Sequence, residues 1–199
     1  MIMKKTIAFV LSAFLFAALC LQPVCALPSV LGDLQEVPEG QIVKVDDFEK
    51  GNYWIWAAFD WEQYGPAKIS TAARVSSLWA SQGKSSLECR FIPSYKDSDK
   101  DGTYYMDYRW NFSGGRYLVM DIFNPEKYSF DFAVVLQTTE NWEWKELTIV
   151  RVEPGKHTVV LSLDKAGDTL SLVQRINVCY RELTPMEGRF YVDDIRIVK

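Results

Sequence analysis

Two runs of carboxylates stand out because each lies against a hydrophobic strand pattern. Near the C-terminus, Arg189-Phe190-Tyr191-Val192-Asp193-Asp194-Ile195-Arg196-Ile197-Val198 carries two adjacent acids at the centre of an apolar segment. A buried charge is costly unless it is paired, metal-bound or at the surface. Near the start stands a matching element, Asp46-Asp47-Phe48-Glu49-Lys50-Gly51. Acidic elements from opposite ends of a chain that converge on one cation are what a sandwich stapled by Ca²⁺ would need. The other reading is an edge strand whose acids face water and block edge pairing. Strand alternation would send Asp193 and Asp194 to opposite faces.

A further acidic loop, Asp97-Ser98-Asp99-Lys100-Asp101-Gly102, has the Asp-x-Asp-x-Asp-Gly spacing of a calcium loop. An EF-hand would then place a glutamate where Tyr108 stands, and the segment lacks flanking helical patterns. Asp97, Asp99 and Asp101 are therefore a looser loop site or a solvated turn.

Catalysis finds little support. The single histidine, His157, follows the Pro154-Gly155 turn and reads as a surface residue. Nucleophile elbows, zinc-protease pairs and phosphate-cradling glycine loops are missing from the sequence. A glycosidase needs only two acids, but nothing singles out a pair. The reading is a protein without catalytic function.

Sugar binding asks for flat aromatic faces with polar groups beside them. Asn141-Trp142-Glu143-Trp144-Lys145 sets Trp142 and Trp144 among charges in a bend between strands. Tyr53-Trp54-Ile55-Trp56 begins a strand with aromatics on both faces, so Trp54 and Trp56 are candidates as well. In Tyr104–Asn111, Tyr104, Met106, Tyr108 and Trp110 share one face, read as core. Tyr105, Asp107, Arg109 and Asn111 share the other, which suits a sugar cleft or an ordinary solvated face.

These residues need a scaffold, and the N-terminus says where it would work. Lys4 and Lys5 precede an apolar run from Ile7 to Leu21, and Val24-Cys25-Ala26 offers small residues for cleavage. Residues 1–26 thus read as a secretory signal peptide, and the protein as exported to the periplasm, cell surface or medium, with no stable membrane span after cleavage; the other reading is an uncleaved anchor. Its removal takes two lysines and no acid, leaving 20 basic residues against 26 acidic ones and moving the charge from −4 to −6. No cluster of Lys and Arg is visible along the chain, so nucleic acid is not an expected partner. Of the cysteines beyond the signal, Cys89 shares a strand face with Leu87 and Phe91. Cys179 shares one with Asn177 and Arg181, so the two are read as free thiols.

Residues 27–41, with Pro28, Gly32, Pro38 and Gly40, read as a tether, and 42–199 as one domain. The expected strands are 42–45, 53–59, 72–76, 85–91, 104–112, 117–123, 130–138, 146–152, 157–162, 175–180 and 190–198. Turns such as Ser113-Gly114-Gly115 and Glu153-Pro154-Gly155-Lys156 separate them. Residues 164–176 come nearest to a helix, and Gly167 interrupts them. Many short strands at this spacing mean an all-β, two-sheet antiparallel β-sandwich.

Five motifs in order also carry a resemblance. They are Asp46-Asp47-Phe48-Glu49-Lys50-Gly51, Ser81-Gln82-Gly83-Lys84-Ser85-Ser86-Leu87-Glu88-Cys89, the turn and strand Phe112–Pro125, the turn Glu153–Val159 and the closing Phe190–Ile197. Together they resemble the galactose-binding-domain-like jelly rolls, especially bacterial carbohydrate-binding modules; the complex I intermediate-associated assembly-factor domain shares the fold. The resemblance implies a jelly roll with structural Ca²⁺ held by Glu49 and Asp193, with Asp47 and Asp194 as possible substitutes. The expected function is glycan binding through exposed Trp and Tyr. The alternative is an envelope or assembly protein that uses the same sandwich to bind a protein partner.

Overall fold

The computed structural model describes residues 36–51, 53–58, 73–91, 102–181 and 187–199. The expected signal segment, most of the tether, and Asp97, Asp99 and Asp101 lie outside the described residues. Within them are twelve strands: β1 (Ile42–Asp46), β2 (Ile55–Ala58), β3 (Ala73–Ser76), β4 (Ser86–Arg90), β5 (Gly102–Trp110), β6 (Tyr117–Asn124), β7 (Phe130–Thr138), β8 (Glu143–Glu146), β9 (Val150–Val152), β10 (Gly155–Ser162), β11 (Val173–Arg181) and β12 (Arg189–Val198). The segment nearest to a helical pattern forms only a 3₁₀ turn, Gly167–Ser171, before β11 begins at Val173.

The strands form a two-sheet antiparallel β-sandwich of the jelly-roll type. The first sheet runs β10-β6-β12-β4-β3, with β1 also paired to β12; the second runs β2-β5-β11-β7-β8, with β9 also paired to β7. Alternation decides which side chains meet between them. From β7, Phe130, Phe132, Val134 and Leu136 enter the core; from β10, Val159 and Leu161; from β12, Phe190, Val192, Ile195 and Ile197. One end is aromatic: Phe91 lies 5.0 Å from Phe130, 5.3 Å from Phe190 and 5.1 Å from Tyr180 between ring centroids. Truncating a fully buried ring such as Phe190 to alanine costs about 3–5 kcal/mol.

β12 organises the first sheet. One edge pairs with β6, while the other is shared: Arg189–Val192 pair with β4, and Ile195–Val198 pair with β1. At the handover the register slips between Asp193 and Arg196, and Asp194 takes a left-handed φ of 47°. This bulge breaks the alternation expected there. Asp193 and Asp194 consequently reach the same residue, Gln82, instead of opposite faces.

Three other expectations need correction. The expected strand 146–152 is not continuous: β8 ends at Glu146 and β9 begins at Val150, on opposite halves of β7. His157 is buried, with Nε2 2.8 Å from the Glu153 carbonyl, because its position in β10 alternates inward with Val159 and Leu161. Tyr104 and Met106 belong to the core, but Tyr108 is 65% exposed. β2 covers β5 only as far as Tyr105, so the rest of that edge lacks a strand neighbour among the described residues. Cys89 faces the core while Cys179 lies on the other side of the second sheet, and no disulfide joins them. Among the described residues no helix is long and apolar enough to cross a membrane.

Candidate functional site

The outward side of the second sheet is the candidate site. Register lines up Asp107 of β5, Arg175 of β11, Gln137 of β7 and Trp144 of β8 in one row across four strands. The next row is Ile55, Tyr105, Asn177, Val135 and Glu146. Further along, Ala133, Val135 and Cys179 form a small apolar floor, buried although it faces away from the main core. Asn177 donates from Nδ2 to the Val135 carbonyl at 3.0 Å, so it props the floor and does not stand free.

Arg175 sits at the centre. Its Nε and Nη2 donate to the two carboxylate oxygens of Asp107 at 2.5 and 2.8 Å. Its guanidinium lies 4.0 Å from the Tyr105 ring centroid and 5.3 Å from that of Trp142. The hydrogen bond to Asp107, partly opposed by burial, holds the Arg175 pKa above its usual value. Fork pairing and ring stacking together fix a guanidinium that would otherwise sample many rotamers.

The turn between β7 and β8 presents the indoles. Thr139 and Trp142 both adopt left-handed backbones, with φ of 61° and 58°. Such a conformation is uncommon for a bulky residue and persists only where the surroundings enforce it. Here the Thr139 N–H donates to Leu172, and the Thr139 carbonyl accepts from Gln174 Nε2 at 2.6 Å and from the Trp142 N–H at 3.3 Å. Arg109 reaches the same turn by a 2.6 Å ion pair to Glu140. Trp142 and Trp144 are 42% and 47% exposed, a large apolar area for solvent to meet.

Five of the seven residues expected to bind ligand therefore gather here: Trp142, Trp144, Tyr105, Asp107 and Arg109. Trp54 does not. It is buried against Phe48, and its Nε1–H donates to Asp46 Oδ2 at 2.9 Å, which satisfies the indole inside the sandwich. Trp56 lies on β2 opposite Tyr104, and its side chain is outside the described part. Arg175 and Gln137 were missed because only the cross-strand register brings them beside Asp107 and Trp144. Around the β5 edge from Asp107, a cleft of about 630 Å³ opens between the sheets, with Tyr53, Tyr108, Trp110, Lys44 and Asp47 among its walls.

The acidic elements meet elsewhere, at the loop between β3 and β4. Glu49 Oε1 accepts from the Lys84 and Ser85 N–H groups at 2.7 and 2.8 Å. Asp193 Oδ2 accepts from the Ser81 N–H and hydroxyl and from the Gln82 N–H, at 2.7, 3.0 and 3.1 Å. Burial outweighs these bonds and raises the Asp193 pKa above its ordinary 3.8. Asp194 Oδ2 accepts from Arg196 Nη1 at 2.5 Å and from Gln82 Nε2 at 3.0 Å. Lys44 Nζ lies 3.5 Å from Asp47 and 3.7 Å from Asp194. Calcium needs about six to eight oxygens around it, but these carboxylates face N–H donors and the chain's own cations. Among the described residues no three metal-ligating side chains come together. As placed, Glu49, Asp47, Asp193 and Asp194 do not fit a calcium ion.

No protein-family model matches the sequence, and no curated relative does. Solved structures do match in shape. A non-crystalline-cellulose-specific carbohydrate-binding module, CBM28, superposes with a TM-score of 0.57 at 15% identity, covering 81% of this chain and 97% of that one. The family 11 module from Clostridium thermocellum, in complex with a β-1,3-1,4-mixed-linked tetrasaccharide, gives 0.52 at 14% identity, over 81% and 97%. A mannan-recognising module, TmCBM27, gives 0.51 at 16% identity, over 80% and 98%. The fold is that of the β-sandwich carbohydrate-binding modules.

Proposed function

We propose that this chain is an exported, non-catalytic glycan-binding protein, and that the glycan lies along the outward side of the second sheet. The arrangement that carries the reading is Arg175, held bidentately by Asp107 and lying over the rings of Tyr105 and Trp142, near the exposed Trp144. Rings pack the C–H faces of pyranoses, while Asp107, Arg175, Gln137 and Arg109 offer donors and acceptors for hydroxyls. Because Asp107, Arg175 and Arg109 are already held in ion pairs, little of their side-chain entropy is lost on binding. The structural neighbours bind non-crystalline cellulose, mixed-linkage glucan or mannan, which supports a neutral β-linked chain as the ligand class.

Affinity electrophoresis through mixed-linkage β-glucan, hydroxyethyl cellulose and mannan tests this. At least one polymer should retard the protein, and Trp142→Ala or Trp144→Ala should abolish the retardation. If a broad glycan array stays blank while pull-downs recover one envelope protein, the sandwich serves protein binding instead.

A further inference from the structure

The first sheet carries a second, unrelated cluster on its own outward side. Glu88 of β4 is fully buried, and three arginines meet it. Arg74 Nη2 lies 2.9 Å from Oε2, while Arg189 Nη1 and Arg90 Nε lie 3.2 and 3.5 Å from Oε1. The three side chains remain 50%, 37% and 40% exposed, respectively. They come from β3, β12 and β4, so no run of basic residues marks them in the sequence.

Among the described residues three guanidiniums pair with one carboxylate, on a chain whose net charge is −4, and the next acid is Glu126, which accepts from the Arg189 N–H at 3.0 Å. Each guanidinium has five N–H donors, and the contacts to Glu88 engage one nitrogen apiece. Glu88 thus acts as a hub that holds three forks close together despite their mutual repulsion. Three planar forks around one point suit a group with several acceptor oxygens.

An aromatic layer adjoins the cluster. Tyr191 is the cross-strand neighbour of both Glu88 and Phe123. Phe123 and Tyr191 stack at 5.9 Å with planes 20° apart, and Trp79 lies over both at 5.6 and 6.2 Å. Trp79 and Phe123 are half-buried, so part of this layer meets solvent. Charge and ring stand side by side, which is the pairing an acidic sugar presents.

We infer that Arg74, Arg90 and Arg189 form a binding site for the carboxylate or sulfate group of an acidic saccharide, with Trp79 and Phe123 receiving the sugar ring. The inference rests on the saccharide-binding reading of the fold but uses the opposite sheet, so the two sites fail independently.

The test titrates the full exported chain with polygalacturonate, dextran sulfate, uncharged dextran and polyglutamate at low and high salt. Binding to polygalacturonate or dextran sulfate, and not to dextran, is expected, weakening as salt screens the charges. Which of the two binds tells uronate from sulfate. Arg74→Gln or Arg189→Gln should lower that affinity about ten-fold, the loss of one charge-assisted contact. Glu88→Gln should weaken it as well, because the anion that holds the three guanidiniums together is removed. Trp142→Ala should leave it unchanged. Failure to bind either acidic saccharide, equal binding of polyglutamate, or loss of binding in Trp142→Ala overturns the inference. Acidic binding that depends on the arginines, without any neutral-glycan retention, would leave this site standing and remove only the other.

Discussion

Arg175 lies 4.0 Å from the centre of the Tyr105 ring, with its guanidinium fixed by two hydrogen bonds to Asp107. A cation over an aromatic face contributes about 0.5–2 kcal/mol, more as water is excluded. A sugar ring arriving beside this pair finds a surface that is already ordered. Arg175→Met should keep much of the packed stem but release Asp107 and loosen Trp142. Glycan affinity should fall about ten-fold or more, with the thermal midpoint changed by only a few degrees. Isothermal titration and differential scanning calorimetry separate the two effects, and a loss of stability matching the loss of binding would sink the positioning role.

The loop between β3 and β4 depends on Asp193, which accepts three hydrogen bonds from Ser81 and Gln82 on one oxygen. Asp193→Ala would remove the buried carboxylate on which these three donors converge, and hydrogen bonds to a charged group contribute about 1.5–3 kcal/mol each. Urea denaturation should therefore show a loss of about 2–5 kcal/mol. Burial makes the ionised form of Asp193 the costly one, so Asp193→Asn, which keeps the shape and an acceptor oxygen, should cost less than Asp193→Ala. Equal losses for the two variants would count against the hydrogen-bond account.

What the sequence discloses is what alternation encodes locally. β7 can be read as Phe130–Thr138 directly, since four inward apolar positions repeat with period two and turn residues flank them. The aromatic turn carrying Trp142 and Trp144 is likewise visible, because bulky rings beside charges suit no core. Relationships across strands are not visible. Arg175 meets Asp107, and Glu88 meets Arg189, only through registers that depend on the whole sheet. Trp54 misleads for a related reason: Asp46, the residue that satisfies its indole, sits on another strand and the other sheet. The bulge at Asp194 is invisible as well, since no glycine announces its left-handed backbone.

Calcium is directly testable. Lys44 pairs with Asp47 and Asp194, and Arg196 with Asp194, so these carboxylates already have cationic partners. Dialysis against EDTA should accordingly leave the thermal midpoint of the wild type within about a degree of its untreated value. Glu49→Ala should lower the midpoint equally with and without chelator, because it removes acceptors for Lys84 and Ser85 and no metal ligand. A chelator-dependent fall in the wild type that is absent in Glu49→Ala would restore calcium at this site.

Acid stability should report on Glu88. Burial alone would raise its pKa, but the hydrogen bond and charge of Arg74, with Arg189 and Arg90 behind it, hold it below the ordinary 4.5. A carboxyl depressed on folding stabilises the native state above its unfolded pKa, and that contribution is lost as pH falls through the folded value. Wild type should therefore lose stability on acidification below about 4.5 partly through this residue. Glu88→Gln, which has no such proton to bind, should be less stable than wild type at neutral pH, with the gap narrowing as acid is added. Urea midpoints measured in steps from neutral pH to about pH 3 give the two curves. If they run parallel throughout, the arginines do not stabilise the Glu88 carboxylate and the cluster loses its hub.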